Sequence, residues 1–337
     1  MDKKVLMNVE SVYTAFAFRS GGHDYVAAGS ETCPEVFLYD LGTGEKELVA
    51  GCPGGVMSFV PVPGIPDVYF SVMGLFPGFI GQQAGIFMHR KGSGGWKTEK
   101  VFPLPFAHRC DVVHHKGRNY LFAVSVSKFK ADPADWSNAS EIHVMPLDPA
   151  DAAPGPATLI ESSIFRNHGM LKTEGADGQT LYVSGAEGIF RLEMDDASAS
   201  WNAVKVFGRE VSEFGFVDID SDGREELATI EPFHGNTLNI YRQAADGQWN
   251  RIYQGELEFG HGLSCGHAAG KPRVVVGNRR GPLTLDTITY IEGSADGFRR
   301  ETLETEAGPT QTQVFEHGGK DYILSANQRK NEVAIYW

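Results

Sequence analysis

The chain lacks any long hydrophobic run. No stretch approaches the roughly 20 apolar residues of a membrane-spanning helix, and the opening residues, MDKKVLMNVESVY, hold no apolar segment of signal-peptide length. A cytoplasmic protein without a membrane partner is the expectation. Blocks rich in Lys and Arg are missing too. With 43 acidic against 30 basic residues, the formal net charge is -13, which argues against nucleic acid or anionic lipid as a partner. Cysteine is scarce: Cys33, Cys52, Cys110 and Cys265 are scattered without CxxC spacing. Free thiols are therefore expected rather than a disulfide framework or a cysteine zinc site. No GxSxG elbow suggests a serine hydrolase. No Pro-, Gly- or Ser-rich linker divides the chain, so one domain over residues 1–337 is expected, with its oligomeric state open.

What the chain does have is glycine and aromatic residues. Forty glycines, 21 phenylalanines and 11 tyrosines favour many short strands joined by tight turns. One unit of four strands recurs. Its second strands are DYVAAGS, DVYFSVMG, NYLFAVSVS, TLYVSGA, EELATIE, PRVVVGN and DYILSAN; its third strands run from VFLYDL to EVAIYW. Fourth strands follow in six units only: EKELVAG, WKTEKVF, ATLIESS, NAVKVFG, QWNRIYQ and FRRETLE. The missing one is supplied by KKVLMN at the N-terminus, a swap that closes a ring and removes exposed sheet edges. Units of about 45–50 residues match propeller blades. The expected fold is all-β, a seven-bladed β-propeller whose last blade is closed by the N-terminal strand.

In a propeller, the innermost strands begin at the face that carries the loops between second and third strands. Aligning the units brings together FAHRCDVV, RNHGMLKT, SEFGFVDI and FGHGLSCG, so that His108, His168 and His261 coincide, with Glu213 at the matching place in the fifth unit. The corresponding positions in the first, second and last units fall near Tyr13, at Val56 or Met57, and at Thr310 or Gln311. Neutral imidazoles beside a carboxylate suit a divalent transition metal, zinc or manganese, with magnesium as the alternative. His267, six residues after His261, falls toward the other end of its strand, so EFGHGLSCGH is not a local metal knuckle. The plainer alternative is three channel histidines bonded to water and backbone.

Two long loops reach the same face, MGLFPGFIGQQAG and SKFKADPADWSNAS, carrying Phe76, Phe79, Lys128 and Trp136. Shorter ones bring His234 and Asn236, Asn278 and Arg279. Aromatic walls, cations and amides around a metal suit a small hydroxylated or carboxylated ligand. At the opposite face, VDIDSDGREEL places Asp218, Asp220 and Asp222 at alternating positions before Gly223, with Glu226 after. Carboxylates on a glycine turn suit a structural calcium ion. Glu226 comes too early for the twelfth position of an EF-hand, and an aspartate-rich turn held by backbone and water is the alternative.

The combination of EFGHG, DIDSDGREEL, FHGN and VGNRRGP resembles FG-GAP/VCBS-type propellers related to aldos-2-ulose dehydratase, and the histidine-bound metal is similar to that of propeller polysaccharide lyases. The likeness spans blades three to six. It implies a metal in the propeller mouth and elimination of water next to a sugar carbonyl. The chain departs from the dehydratase in being one short propeller, so the substrate does not carry over. The expected activity is a metal-dependent carbon–oxygen lyase acting on a keto-sugar, sugar acid or glycoside. His234, and after it Glu213, are the candidate bases. Arg279 and Lys128 would hold an anionic group, while Tyr13, Asn236, Asn278 and Gln311 would bind hydroxyls. An isomerase or epimerase would use the same parts, and a non-catalytic propeller binding a protein or glycan is the rival class.

Overall fold

The computed structural model describes all residues except 77, 80, 176, 177, 196 and 294–296. Among the described residues it is almost entirely β: 28 strands and one turn of 3-10 helix at Gln328–Lys330. The chain forms two compact units, Phe18–Glu210 and a second made of Met1–Ala17 with Val211–Trp337. The boundary between them falls inside strand β2 (Val12–Ser20).

The second unit opens with β1 (Lys3–Asn8). Its first complete sheet has the order β18 (Glu213–Val217), β19 (Glu226–Glu231), β20 (Thr237–Gln243), β21 (Trp249–Glu256). The next is β22 (Gly260–Ala268), β23 (Lys271–Asn278), β24 (Leu285–Tyr290), β25 (Phe298–Glu304). The last joins β26 (Pro309–His317), β27 (Lys320–Asn327) and β28 (Glu332–Tyr336) to β1, which pairs antiparallel with β28 from Lys3↔Tyr336 to Asn8↔Glu332. The expected closure by KKVLMN is present residue for residue. Lys3 adds ion pairs to Glu304 (2.8 Å) and Glu332 (2.5 Å).

The Phe18–Glu210 unit continues the series. The first sheet is β2 with β3 (His23–Ser30), β4 (Val36–Asp40) and β5 (Lys46–Ala50); the next is β6 (Ser58–Val62), β7 (Ile65–Met73), β8 (Gly85–Gly92), β9 (Gly95–Pro103). Two further groups follow: β10 (Ala107–His115), β11 (Arg118–Ser125), β12 (Ile142–Pro146), β13 (Thr158–Glu161), then β14 (Gly169–Gly175), β15 (Gly178–Gly185), β16 (Gly188–Asp195), β17 (Ser200–Phe207). These two are joined into one eight-stranded sheet by the pair His115↔Gly178. Every second, third and fourth strand expected from the repeat forms where the sequence places it.

The core lies between successive sheets, because middle strands bury both faces. In the second unit, Ala228, Ile230, Leu238 and Ile240 of one sheet pack on Leu263, Val274, Val276 and Ile288 of the next. Sheets this close leave little room at the innermost strands. A Cβ on Gly215 would lie 2.6 Å from Cys265 Sγ, so glycine is required there. Burial pushes the Cys265 thiol up from its ordinary value. All four cysteines are free.

Candidate functional site

Innermost strands begin irregularly, and this is what aims the histidines. The pairing of β22 with β23 shifts register between Gly260 and Leu263, around His261. The pairing of β10 with β11 shifts between Ala107 and Arg109, around His108. A bulge turns a side chain away from the strict alternation of a strand.

In the unit of Met1–Ala17 and Val211–Trp337, His261 is 1% exposed. Its Nδ1 lies 2.6 Å from the carbonyl of Thr310. A carbonyl only accepts, so Nδ1 carries the proton and Nε2 presents its lone pair. The Tyr13 hydroxyl, 3.2 Å away, donates to that Nε2. Thr310 is itself held, its hydroxyl 2.8 Å from the Tyr13 carbonyl. His234 comes from the tight loop between β19 and β20, with a left-handed φ of 46°, and its ring centroid is 5.1 Å from that of His261. Ring nitrogens of the two histidines lie within 4.8 Å of each other. Phe233 and Phe259 flank His234 at 4.0 and 4.5 Å. The loop cannot relax at its next residue: a Cβ on Gly235 would fall 2.2 Å from the Glu231 carbonyl oxygen. Arg279 lies over the Tyr13 ring at 5.5 Å and donates to Gln328 Oε1. One end of this unit thus gathers Tyr13, His234, His261 and Arg279.

Other candidates in this unit have different settings. Glu213 is buried at the start of β18, opposite Ile230. Asn236 is exposed on the His234 loop. Gln311 Oε1 accepts from Thr14 Oγ1 (2.7 Å) and the Ala15 amide, tying β26 to β2. Asn278 is fully buried, its amide engaged with Thr284, Asp286 and the Glu258 N–H. These last two side chains serve the framework. His267 is exposed and pairs with Pro272 near the far end of β22, roughly 20 Å along the strand from His261.

The acidic loop is also in this unit. Carboxylate oxygens of Asp218, Asp220 and Asp222 come within 4.8 Å of one another. Asp218 accepts the amides of Asp222 (2.9 Å) and Gly223 (2.8 Å). Glu226, fully buried, turns instead to Arg242 Nε at 2.8 Å and the Ile219 amide at 3.1 Å, and Arg242 also pairs with Asp220. The bond to Glu226, with the charges of Glu226 and Asp220, outweighs burial and raises the Arg242 pKa. A guanidinium and backbone amides thus occupy much of the loop's acceptor capacity.

In the unit Phe18–Glu210, His108 and His168 are 3% and 2% exposed, with ring centroids 4.4 Å apart. Arg109 braces them: its Nε donates to the His168 carbonyl (3.2 Å) and its NH1 to the Met57 carbonyl (3.0 Å). Lys128 is exposed. Arg109 was not anticipated from the sequence, although it sits beside His108 in FAHRCDVV.

No protein-family model and no curated protein matches the chain. Solved structures do. The β-propeller domain of Cps50 (Swd1) from Myceliophteria thermophila is similar over 99% of both chains, with a TM-score of 0.59 at 11% identity. A putative 6-phosphogluconolactonase from Bacteroides fragilis is similar over 96% of this chain and 89% of that one, with a TM-score of 0.52 at 16% identity. A luciferin-regenerating enzyme covers 99% of this chain and 94% of its own, with a TM-score of 0.50 at 10% identity. With the four-stranded sheets, these likenesses make the fold a β-propeller. Some of these neighbours are named as enzymes and others are not, so fold alone does not choose between those classes. No helix among the described residues is long and apolar enough to cross a membrane.

Proposed function

We propose that the protein is a metal-dependent carbon–oxygen lyase acting on a sugar derivative, with His261 as a ligand of its metal. The observation that carries this reading is the state of His261. A backbone carbonyl fixes the proton on Nδ1, which leaves Nε2 as the ligating atom. Within the Phe18–Glu210 unit, the paired rings of His108 and His168 are imidazoles of the same type, which zinc or manganese also takes. A bound divalent ion would polarise a carbonyl or carboxylate and acidify the adjacent C–H.

The chain's own residues do the rest. His234, held between Phe233 and Phe259, removes the acidified proton; Glu213 is the second candidate. As that C–H bond breaks, its electron pair forms the carbon–carbon double bond and the β-oxygen departs with the C–O pair. Arg279 holds an anionic group, and Tyr13 and Asn236 bind hydroxyls. FG-GAP/VCBS dehydratases and propeller lyases provide the chemical analogy. A calcium ion at Asp218, Asp220 and Asp222 is a secondary proposal, weakened by the commitment of Glu226 to Arg242.

The test pairs elemental analysis of the purified protein with an elimination assay on a keto-sugar and a uronoside, read as the ultraviolet absorbance of the conjugated product. A stoichiometric transition metal and an activity lost in His261→Ala support the proposal. Interconversion of isomers without a conjugated product would make it an isomerase or epimerase. Metal-free protein with no turnover would leave a binding module.

A further inference from the structure

Lys130 is set apart from every other lysine of the chain by its surroundings. It lies in the loop Ser127–Ser140, residues 127–140 between β11 and β12, and is 4% exposed. Its Nζ has no hydrogen-bond acceptor among the described residues. Instead it sits 3.1 Å from the centroid of the Trp136 ring and 4.7 Å from that of Phe79. Phe79 belongs to the other long loop and packs on Trp136 at 5.9 Å and Phe76 at 5.2 Å. An ammonium carries three donors. Ring faces compensate its charge in part, but a buried cation without an anion or acceptor remains costly.

The neighbouring charges do not remedy this. Residues 73–85 contain no charged side chain. In the lysine's own loop, Asp135 accepts from the amides of Ala131 and Ser137 and from the Ser137 hydroxyl. Asp132 accepts from the Ala134 amide. Both carboxylates hold the loop's backbone and neither bonds to Nζ. Lys128, the cation singled out from sequence, points to solvent and is an ordinary exposed lysine. Phe76, Phe79 and Trp136 are all partly exposed, so the cage walls reach the surface.

We infer that Lys130 is an anion-binding residue for a small carboxylate carried on a sugar ring, the carboxylate completing the ammonium's donors and the ring stacking on the exposed aromatic walls. The ligand reaches Nζ by displacing Trp136, which lies directly against it. The site is built from one unit and does not depend on a metal. Burial pushes the free amine down to about 8, against the upward pull of Asp135 and then Asp132. An anion that requires the ammonium form must therefore bind best below that pH.

The probe is D-glucuronate, titrated into the full chain in the presence of a chelator and followed by tryptophan fluorescence and calorimetry, with D-glucose as the neutral control. Glucuronate is expected to bind in preference to glucose, with affinity falling about tenfold per pH unit above about 8. Lys130→Met is expected to weaken binding at least about tenfold and abolish the pH dependence, whereas Lys130→Arg keeps binding and moves the fall to higher pH. Trp136→Phe removes the fluorescence change while calorimetry still detects binding. Equal binding of glucose and glucuronate, a pH-independent affinity, or unchanged binding by a folded Lys130→Met protein would overturn the inference. Because the metal is removed throughout, a failure of the lyase reading leaves this result unaffected.

Discussion

Two ends of the Met1–Ala17 and Val211–Trp337 unit gather potential ligands for a cation, and they do so differently. At one end His261 is buried, with its proton held on Nδ1 by a backbone carbonyl, Nε2 accepting from Tyr13, and the His234 ring stacked beside it. At the other, three aspartates meet on a turn, but Arg242 and backbone amides already serve them, and the buried Glu226 belongs to Arg242. By count of acids the aspartate turn is the richer site. The contrast shows that what the donors are already bonded to matters more than how many stand together. A lone pair oriented by a group that can only accept is prepared for a metal; a carboxylate facing a guanidinium is largely compensated.

That contrast can be broken most sharply by His261→Ala. Zinc affinity should fall at least about 100-fold, near 3 kcal/mol, while Asp218→Asn should leave zinc affinity unchanged; competition with a chromophoric chelator measures both. A third histidine supplies a contrast with similar size of effect. His89 is fully buried, with Nε2 on Ser71 Oγ (2.8 Å) and Nδ1 on Thr98 Oγ1 (2.9 Å), and burial pushes it down to about 4. Its folded value lies below the ordinary 6.5, so the unfolded chain binds the proton more readily in that window. Stability is complete above about 6.5 and declines as pH falls toward 4, by up to about 3 kcal/mol. Denaturant melts should show a shallower acid limb in His89→Gln.

Arg242→Met should destabilise by about 2 kcal/mol, because it leaves the buried Glu226 carboxylate with little but the Ile219 amide. The same variant should raise calcium affinity above that of the natural chain, measured as a calcium-dependent rise in Tm. Smallest is Tyr13→Phe, which removes the hydroxyl from His261 Nε2 and should change zinc affinity by no more than about tenfold. A larger fall would make Tyr13 a partner of the bound ion rather than a competitor for Nε2.

Much of this was legible in the chain itself. Recurring apolar runs marked the second and third strands of each repeat, and the absence of one fourth strand pointed to KKVLMN, now seen on β28. The pairing of His108 with His168 followed from equivalent positions in successive units. What stayed hidden depends on contacts without a sequence period. Bulges at His108 and His261 insert a residue against the strand alternation, the tautomer of His261 is set by a backbone carbonyl 49 residues away, and Arg242 reaches the acidic loop from a different strand. SKFKADPADW shows two lysines at alternate positions, but only the fold turns Lys130 inward and leaves Lys128 outside.

The central claim is that a transition metal chooses the imidazoles over the acids, and zinc anomalous scattering from crystals of the metal-loaded protein tests it most directly. The account predicts an anomalous peak about 2.1 Å from His261 Nε2, with His261 Nδ1 still bonded to the Thr310 carbonyl. A peak confined to Asp218, Asp220 and Asp222, or no peak within coordination distance of His261, would contradict it.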